Sequence, residues 1–201
     1  MKHYFNQMSR GITTDWMLKE LDAPHEQVII DFENGENLSP EFKNINPMGK
    51  LPVLVDDDVV VTEVAAICAY LADKFPEKQL APQVGSAERA TYYRYLFIAG
   101  NTIEPAFTLA AFNIESLDPK SVGWGDMTRV LATIEAMTPR NDWVLGEQFT
   151  AADVVFGGLL DFAIIFKWYE PSPKVMAYVE RIRQRPAYRD THGGFLEMAE
   201  Q

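Results

Sequence analysis

The sequence predicts two parts in series, an α/β part over residues 1–77 and an all-α part over residues 87–201. Three observations predict this. Short apolar runs rich in β-branched residues end before residue 63. Residues 76–87, Pro-Glu-Lys-Gln-Leu-Ala-Pro-Gln-Val-Gly-Ser-Ala, read as a linker, with two prolines and a glycine. Beyond it strand signals stop, and apolar residues recur at helical spacing.

Residues 2–6 read as a short first strand, followed by a turn at Met8-Ser9-Arg10-Gly11. Trp16, Met17 and Leu21 fall at helical spacing, so a helix is expected from Gly11 to Leu21, with Pro24 ending it. Gln27 to Phe32, with Val28, Ile29 and Ile30 in a run, is the second strand. Residues 33–45 are polar and loop-like, with one helical turn after Pro40. Leu51 to Val55 and Val59 to Val61 then flank three aspartates, which signals a hairpin. Pro52 stands at the start of the first of these strands, where a proline costs the ladder least, and an X-Pro bond can be cis. Thr62 is expected to cap the next helix, with Glu63 in its first turn and Phe75 near its end.

In the second part, Ser86 to Asn113 is one long helical pattern, and Gly100 and Pro105 inside it predict a bend or break. Met127 to Met137 is a helix closed by Pro139. Thr150 to Lys167 is nearly all apolar after Asp153, so it reads as a buried helix. Thr150 and Asp153 have the spacing of a capping box, in which the acid returns to the amide of the cap. Pro173 to Gln184 and a segment after Pro186 complete the pattern.

Composition excludes several classes of function. An apolar share of 47% supports a sizeable core. No apolar run approaches the ~18 residues a bilayer span requires, and the first residues are too poor in apolar side chains for a signal peptide. The net charge of −11 argues against a nucleic-acid partner and against an anionic membrane surface, without forbidding a local anion site. One cysteine, Cys68, leaves no disulfide framework and fits a reducing, cytoplasmic setting. His3, His25 and His192 are scattered and show no metal-ligand spacing, so no metal is expected.

The hairpin brings a strand edge near Leu51 beside a helix start near Glu63 and Val64. That pairing suits a peptide with a free carboxylate, through backbone pairing on the edge and an anion site at the helix N-terminus. At this stretch the chain resembles the glutathione transferase superfamily. Asn46-Pro47-Met48-Gly49-Lys50-Leu51-Pro52-Val53-Leu54 is similar to the family's Asn-Pro-x-Gly-Lys-Val-Pro-x-Leu. Thr62-Glu63-Val64-Ala65-Ala66-Ile67 is similar to its Thr-Glu-Ser-x-Ala-Ile, with Val64 in place of the serine. Gly146 to Asp153 resembles its Gly-x-x-Phe-Thr-x-Ala-Asp, and Arg185-Pro186-Ala187 its closing Arg-Pro-Ala. The resemblance implies a thioredoxin-like N-terminal domain, an all-helical C-terminal domain, and a cytoplasmic homodimer with its site near the subunit interface. It implies glutathione as co-substrate, its thiolate attacking a small apolar electrophile or reducing a peroxide in detoxification.

The resemblance also assigns roles. A donor to the glutathione sulfur belongs in the loop after the first strand, which nominates Ser9 first and Arg10 second; Ser9 alternatively caps the helix, and Arg10 alternatively is a solvated cation. Glu63 would pair with the γ-glutamyl ammonium, or else complement the helix dipole. Leu51 would pair its backbone with the cysteinyl part, Lys50 would meet the glycyl carboxylate or remain solvated, and Pro52 would shape the loop. Val64 offers a backbone amide but no hydroxyl, which is expected to weaken glutathione binding by ~1 kcal/mol. These departures leave a rival reading, a glutathione-transferase-like protein that binds a ligand or partner with little catalysis. A glutathione-dependent isomerase ranks below both, because its serine-rich loop is absent. The second substrate is not legible in the sequence.

Overall fold

A four-stranded mixed sheet occupies the N-terminal half, and the elements after it are helical. The computed structural model describes residues 1–114, 118–140 and 142–199. Strand β1 (Lys2–Phe5) runs parallel to β2 (Glu26–Ile29), with helix α1 (Gly11–Leu21) between them. Strand β3 (Val53–Asp56) is antiparallel to β1 and to β4 (Val59–Thr62), giving the order β2-β1-β3-β4. Successive strand side chains face opposite ways. Val53 accordingly joins Phe42 of helix α2 (Pro40–Ile45) and Ile30 on one face. Leu54 joins Trp16 of α1 and Ile67 of helix α3 (Val64–Lys74) on the other.

Strand β2 ends sooner than its apolar run predicts. Ile30 still donates to the Phe5 carbonyl, but the Asp31 carboxylate accepts the N–H groups of Glu33 and Asn34. That local turn competes with the ladder and wins. The hairpin turn is made by Asp57 and Asp58, with Asp57 in the left-handed region at φ 51°. An aspartate tolerates that conformation better than most residues. Asp56 is fixed by the Tyr70 hydroxyl at 2.6 Å and by the Lys74 ammonium.

Thr62 does not cap α3. It pairs with Val53 as the last residue of β4, and Glu63 alone makes the passage from strand to helix. Glu63 therefore occupies the N-cap position, at φ 69° and ψ 126°, without a side-chain cap. A glutamate there is strained, and strain of this kind is retained where the surrounding structure dictates it.

The expected break near Gly100 is a change of helical winding. Helix α4 (Ala87–Ile98) passes through a π-helical turn at Ala99–Ile103 into α5 (Glu104–Ala111), with Pro105 near the start of the latter. A proline offers no N–H, so the wider winding falls where the regular ladder is interrupted. Helices α6 (Met127–Met137), α7 (Ala151–Ile165), α8 (Pro173–Arg183) and α9 (Pro186–Ala199) follow.

The core is continuous across the two halves. Trp16 is fully buried and meets Tyr188 of α9 edge-on at 5.0 Å. Its indole N–H donates to Glu20, which Arg185 grips with two bonds of 2.6 and 2.7 Å. Gly158 on α7 faces Trp16 and Thr13, where a Cβ would make ordinary contact at 3.5 Å.

The capping box of α7 forms. The Thr150 hydroxyl accepts the Ala152 N–H at 3.3 Å, and Asp153 accepts the Thr150 N–H at 2.9 Å. Asp153 also accepts from the Val144 N–H at 2.9 Å and the Tyr178 hydroxyl at 3.0 Å. Burial nevertheless pushes its carboxyl up to about 6, against these hydrogen bonds. Every partner is a donor, so an amide NH2 in place of one oxygen faces donors it cannot satisfy. Asp153→Asn is therefore expected to lose about 2–3 kcal/mol of stability, read as a lower urea midpoint at unchanged slope.

Candidate functional site

A cavity of about 600 Å³ opens between the hairpin and the π-helical junction of α4 and α5. Its first wall is built by the loop before β3. Asn46 holds that loop, donating to the Lys50 carbonyl at 2.8 Å and accepting the Met48 N–H at 3.2 Å. Gly49 permits its fold, at φ 62°, because a Cβ there would lie 2.8 Å from the Asn37 carbonyl oxygen. The Leu51–Pro52 bond is cis. Leu51 stands outside the sheet register, and no backbone hydrogen bond engages it among the described residues. Its backbone is therefore an open edge facing the cavity.

The start of α3 forms the floor. Glu63 is exposed and lines the cavity together with Val64, Ala65 and Ala66. The first-turn amides of a helix lack intrahelical acceptors, and here no side chain caps them. A carboxylate side chain and uncapped amides thus stand side by side, suited to an ammonium and a carboxylate of one ligand. The structure brings Lys50, Leu51, Pro52, Glu63 and Val64 together along this cavity, with Arg10 across from them.

Arg10 ends the loop after β1 and lies at the N-cap of α1. Its guanidinium is far from a solvated cation. Nε donates to Glu104 at 2.6 Å, and the plane lies 3.4 Å over the Phe162 ring. Nη1 is buried without a hydrogen-bond partner among the described residues. Burial lowers the guanidinium pKa and the Glu104 carboxylate opposes that shift. A cation held at the edge of a cavity favours an anion there.

Ser9 stands differently. Its hydroxyl donates to the Asn6 carbonyl at 2.7 Å and accepts the Gly11 N–H at 3.0 Å, and it is not among the cavity-lining residues. Its single proton is committed to shaping the entry into α1.

The opposite wall is apolar, formed by Tyr93, Leu96 and Phe97 of α4 and by Val155 and Leu159 of α7. Thr13 and Asn101 also line the cavity, and neither was singled out from the sequence. Asn101 follows Gly100 in the π-helical turn, so the predicted break marked its position without its role. Cys68 is fully buried in the core, and burial drives its thiol far above the ordinary range, so it is no nucleophile.

Comparison with known proteins adds the following. The family model described as Glutathione S-transferase, N-terminal domain, matches residues 2–73, and that described as Glutathione S-transferase, C-terminal domain, matches residues 124–186. Glutathione S-transferase 2 of Schizosaccharomyces pombe is 28% identical over 229 residues, covering 100% of both chains. Glutathione S-transferase GstA of Escherichia coli O157:H7 is 25% identical, covering 94% of this chain and 96% of that protein. Glutathione S-transferase 1 of Dianthus caryophyllus is 43% identical over 96 residues, a match spanning 48% of this chain and 42% of that protein's length. Among solved structures, the ternary complex of BphK, a bacterial glutathione S-transferase, gives a TM-score of 0.78 at 26% identity, covering 97% of this chain and 99% of that one. URE2P6 from Phanerochaete chrysosporium, in complex with oxidized glutathione, gives 0.80 at 24% identity over 98% and 96% of the two chains, a likeness of fold.

Proposed function

The chain belongs to the glutathione transferase superfamily, and we propose that its cavity lays glutathione along Leu51, Glu63 and the start of α3, with the sulfur at Arg10. A solved sphingomonad glutathione S-transferase, 25% identical, is complexed with glutathione, which supports the ligand. One observation carries the placement: Leu51 with its unpaired backbone, Glu63, the uncapped start of α3 and Arg10 all line one cavity.

On this reading Glu63 pairs with the γ-glutamyl ammonium, and the amides of Val64 and Ala65 receive the adjacent carboxylate. The Leu51 backbone pairs with the cysteinyl unit in the manner of an added strand. Lys50 is exposed at the rim and meets the glycyl carboxylate. Arg10 stabilises the thiolate, and Glu104 and Phe162 hold its guanidinium in place. The Tyr93–Phe97 wall receives a small apolar electrophile. The sulfur–carbon bond forms as the carbon–leaving-group bond breaks, and the thiol proton passes to solvent. Detoxification in a reducing cytoplasm is the setting that this chemistry and the buried, unpaired Cys68 support.

Met48, Val59 and Val60, in and just before the hairpin, are exposed apolar side chains. Their burial is the rationale for a homodimer, checked by sedimentation.

The direct test is calorimetric titration of glutathione, with turnover of a generic aryl halide and of a peroxide measured alongside. Saturable binding with turnover supports the reading. Binding without turnover of either substrate leaves a binding protein, and no binding removes the site. Val64→Ser restores a hydroxyl beside the glutamyl carboxylate and is expected to tighten glutathione by about 1 kcal/mol, roughly fivefold.

A further inference from the structure

His3 on β1, Asp15 on α1 and His25 just before β2 converge at a place that none of the cavity-lining residues shares. Each offers one ligand atom, and these atoms all lie within 4.8 Å of one another. The hydrogen bonds around them decide which atoms are bare. The Thr14 hydroxyl donates its one proton to the Gly11 carbonyl at 2.9 Å, so towards His3 Nε2, at 2.8 Å, it can only accept. With the hydroxyl proton on Gly11, His3 carries its proton on Nε2, and Nδ1 is a bare lone pair. That Nδ1 is buried and has no partner among the described residues, on a side chain with no exposed surface. His25 Nδ1 lies 2.8 Å from the Ala23 carbonyl, which only accepts, so Nδ1 donates and Nε2 is bare in the neutral ring. Asp15 receives the Gln27 amide at 3.0 Å and is otherwise a buried carboxylate.

In these tautomers, with His25 neutral, two imidazole lone pairs and a carboxylate gather at one place. Repulsion among acceptors in a buried site calls for a cation. We propose that His3, Asp15 and His25 form a binding site for a divalent transition metal of the zinc type, with solvent in the remaining position on the half-exposed His25 side.

The donor set suits such an ion, because imidazole and carboxylate both serve zinc and three protein ligands leave one position open. The surroundings do as well. Thr14, the Ala23 carbonyl and Gln27 each hold the far side of a ligand, which fixes tautomer and orientation. Metal ligation requires unprotonated donors.

Zinc bonds of about 2.0–2.1 Å set tetrahedral donors roughly 3.4 Å apart. With all three atoms within 4.8 Å, no pair must close by more than about 1.4 Å. His25 can supply that movement, since it is half-exposed on the link of residues 22–25 between α1 and β2. A bound ion fastens β1, α1 and β2 to one another, so it stabilises the folded chain.

The test is calorimetric titration of Zn²⁺ into the full, untagged protein in a non-chelating buffer, with Co²⁺ absorption reporting coordination geometry. The expected result is one Zn²⁺ per chain at micromolar affinity or tighter, a tetrahedral Co²⁺ spectrum and a higher thermal midpoint. His25→Ala removes a half-exposed ligand and leaves the core packed. Asp15→Asn removes the charge at constant shape. Each is expected to weaken Zn²⁺ at least about tenfold while circular dichroism shows a cooperative fold. Absence of saturable binding, or binding that neither substitution weakens, overturns the proposal.

Discussion

Glu63→Ala is expected to weaken glutathione binding at least tenfold, measured by calorimetry at constant pH and salt. Tenfold corresponds to about 1.4 kcal/mol, and a hydrogen bond to a charged group contributes about 1.5–3. Glu63→Gln keeps the length and loses the charge, so it falls between wild type and Ala if the partner is an ammonium. Equal affinity of wild type and Gln would show that shape, not charge, is recognised. An unchanged affinity in Ala would displace glutathione from the α3 end of the cavity altogether. Backbone strain gives this position a second signature. Glu63 sits at φ 69°, where a residue with a Cβ is penalised and glycine is not. Glu63→Gly is expected to lose glutathione as Ala does, yet to be more stable than Ala by about 0.5–1 kcal/mol. Lower stability in Gly than in Ala would mean that the site is not strained.

That strain explains why the sequence misplaced one element while locating so many others. Thr62-Glu63 reads as a cap followed by a first turn, because cap residues and acidic first turns are local preferences. The sheet register overrides them: Thr62 is held opposite Val53, and a single residue is left for the reversal. Local signals fared well where the partners are close in sequence. The Thr150–Asp153 box is three residues long and forms as expected. Helices bounded by prolines, such as Met127–Met137, are placed to the residue. Partnerships across long separations left no trace. Arg10 finds Glu104, Trp16 finds Tyr188, and Glu20 finds Arg185, and periodicity encodes none of these. The histidines are the plainest instance. His3 and His25 look scattered along the chain, but parallel pairing sets His3 beside Gln27 and carries His25 to its side. Spacing rules for metal ligands describe loops and single helices, and are blind to ligands assembled by strand pairing.

Arg10→Ala is expected to lower kcat/KM for an aryl halide by about a hundredfold, and to weaken glutathione binding only at pH values where the bound thiol is ionised. The scale follows from removing one preorganised donor at a developing or resident anion. A free thiol titrates near about 8.5, so little of it is thiolate at neutral pH. Lowering it by two units requires about 2.7 kcal/mol of preference for the anion. The Arg10 cation at the cavity edge can supply that preference, since its charge acts at low local dielectric. The decisive reading is the pH dependence of the thiolate absorbance of bound glutathione. In wild type the thiolate forms at a pH well below that of free glutathione, and in Arg10→Ala the transition moves up towards it. The acid limb of kcat/KM moves in the same direction, since the thiolate is the reactive form. Arg10→Lys restores a charge without the fork that reaches Glu104 and the cavity together, so it recovers part of the shift. Ser9→Ala supplies the contrast. Its hydroxyl proton goes to Asn6, so its loss is expected to cost about 1 kcal/mol of stability at the entry to α1 and to leave the thiolate transition in place. The reverse pattern, a transition moved by Ser9→Ala and untouched by Arg10→Ala, would transfer the role to the serine and require its hydroxyl to turn from Asn6 into the cavity on binding glutathione.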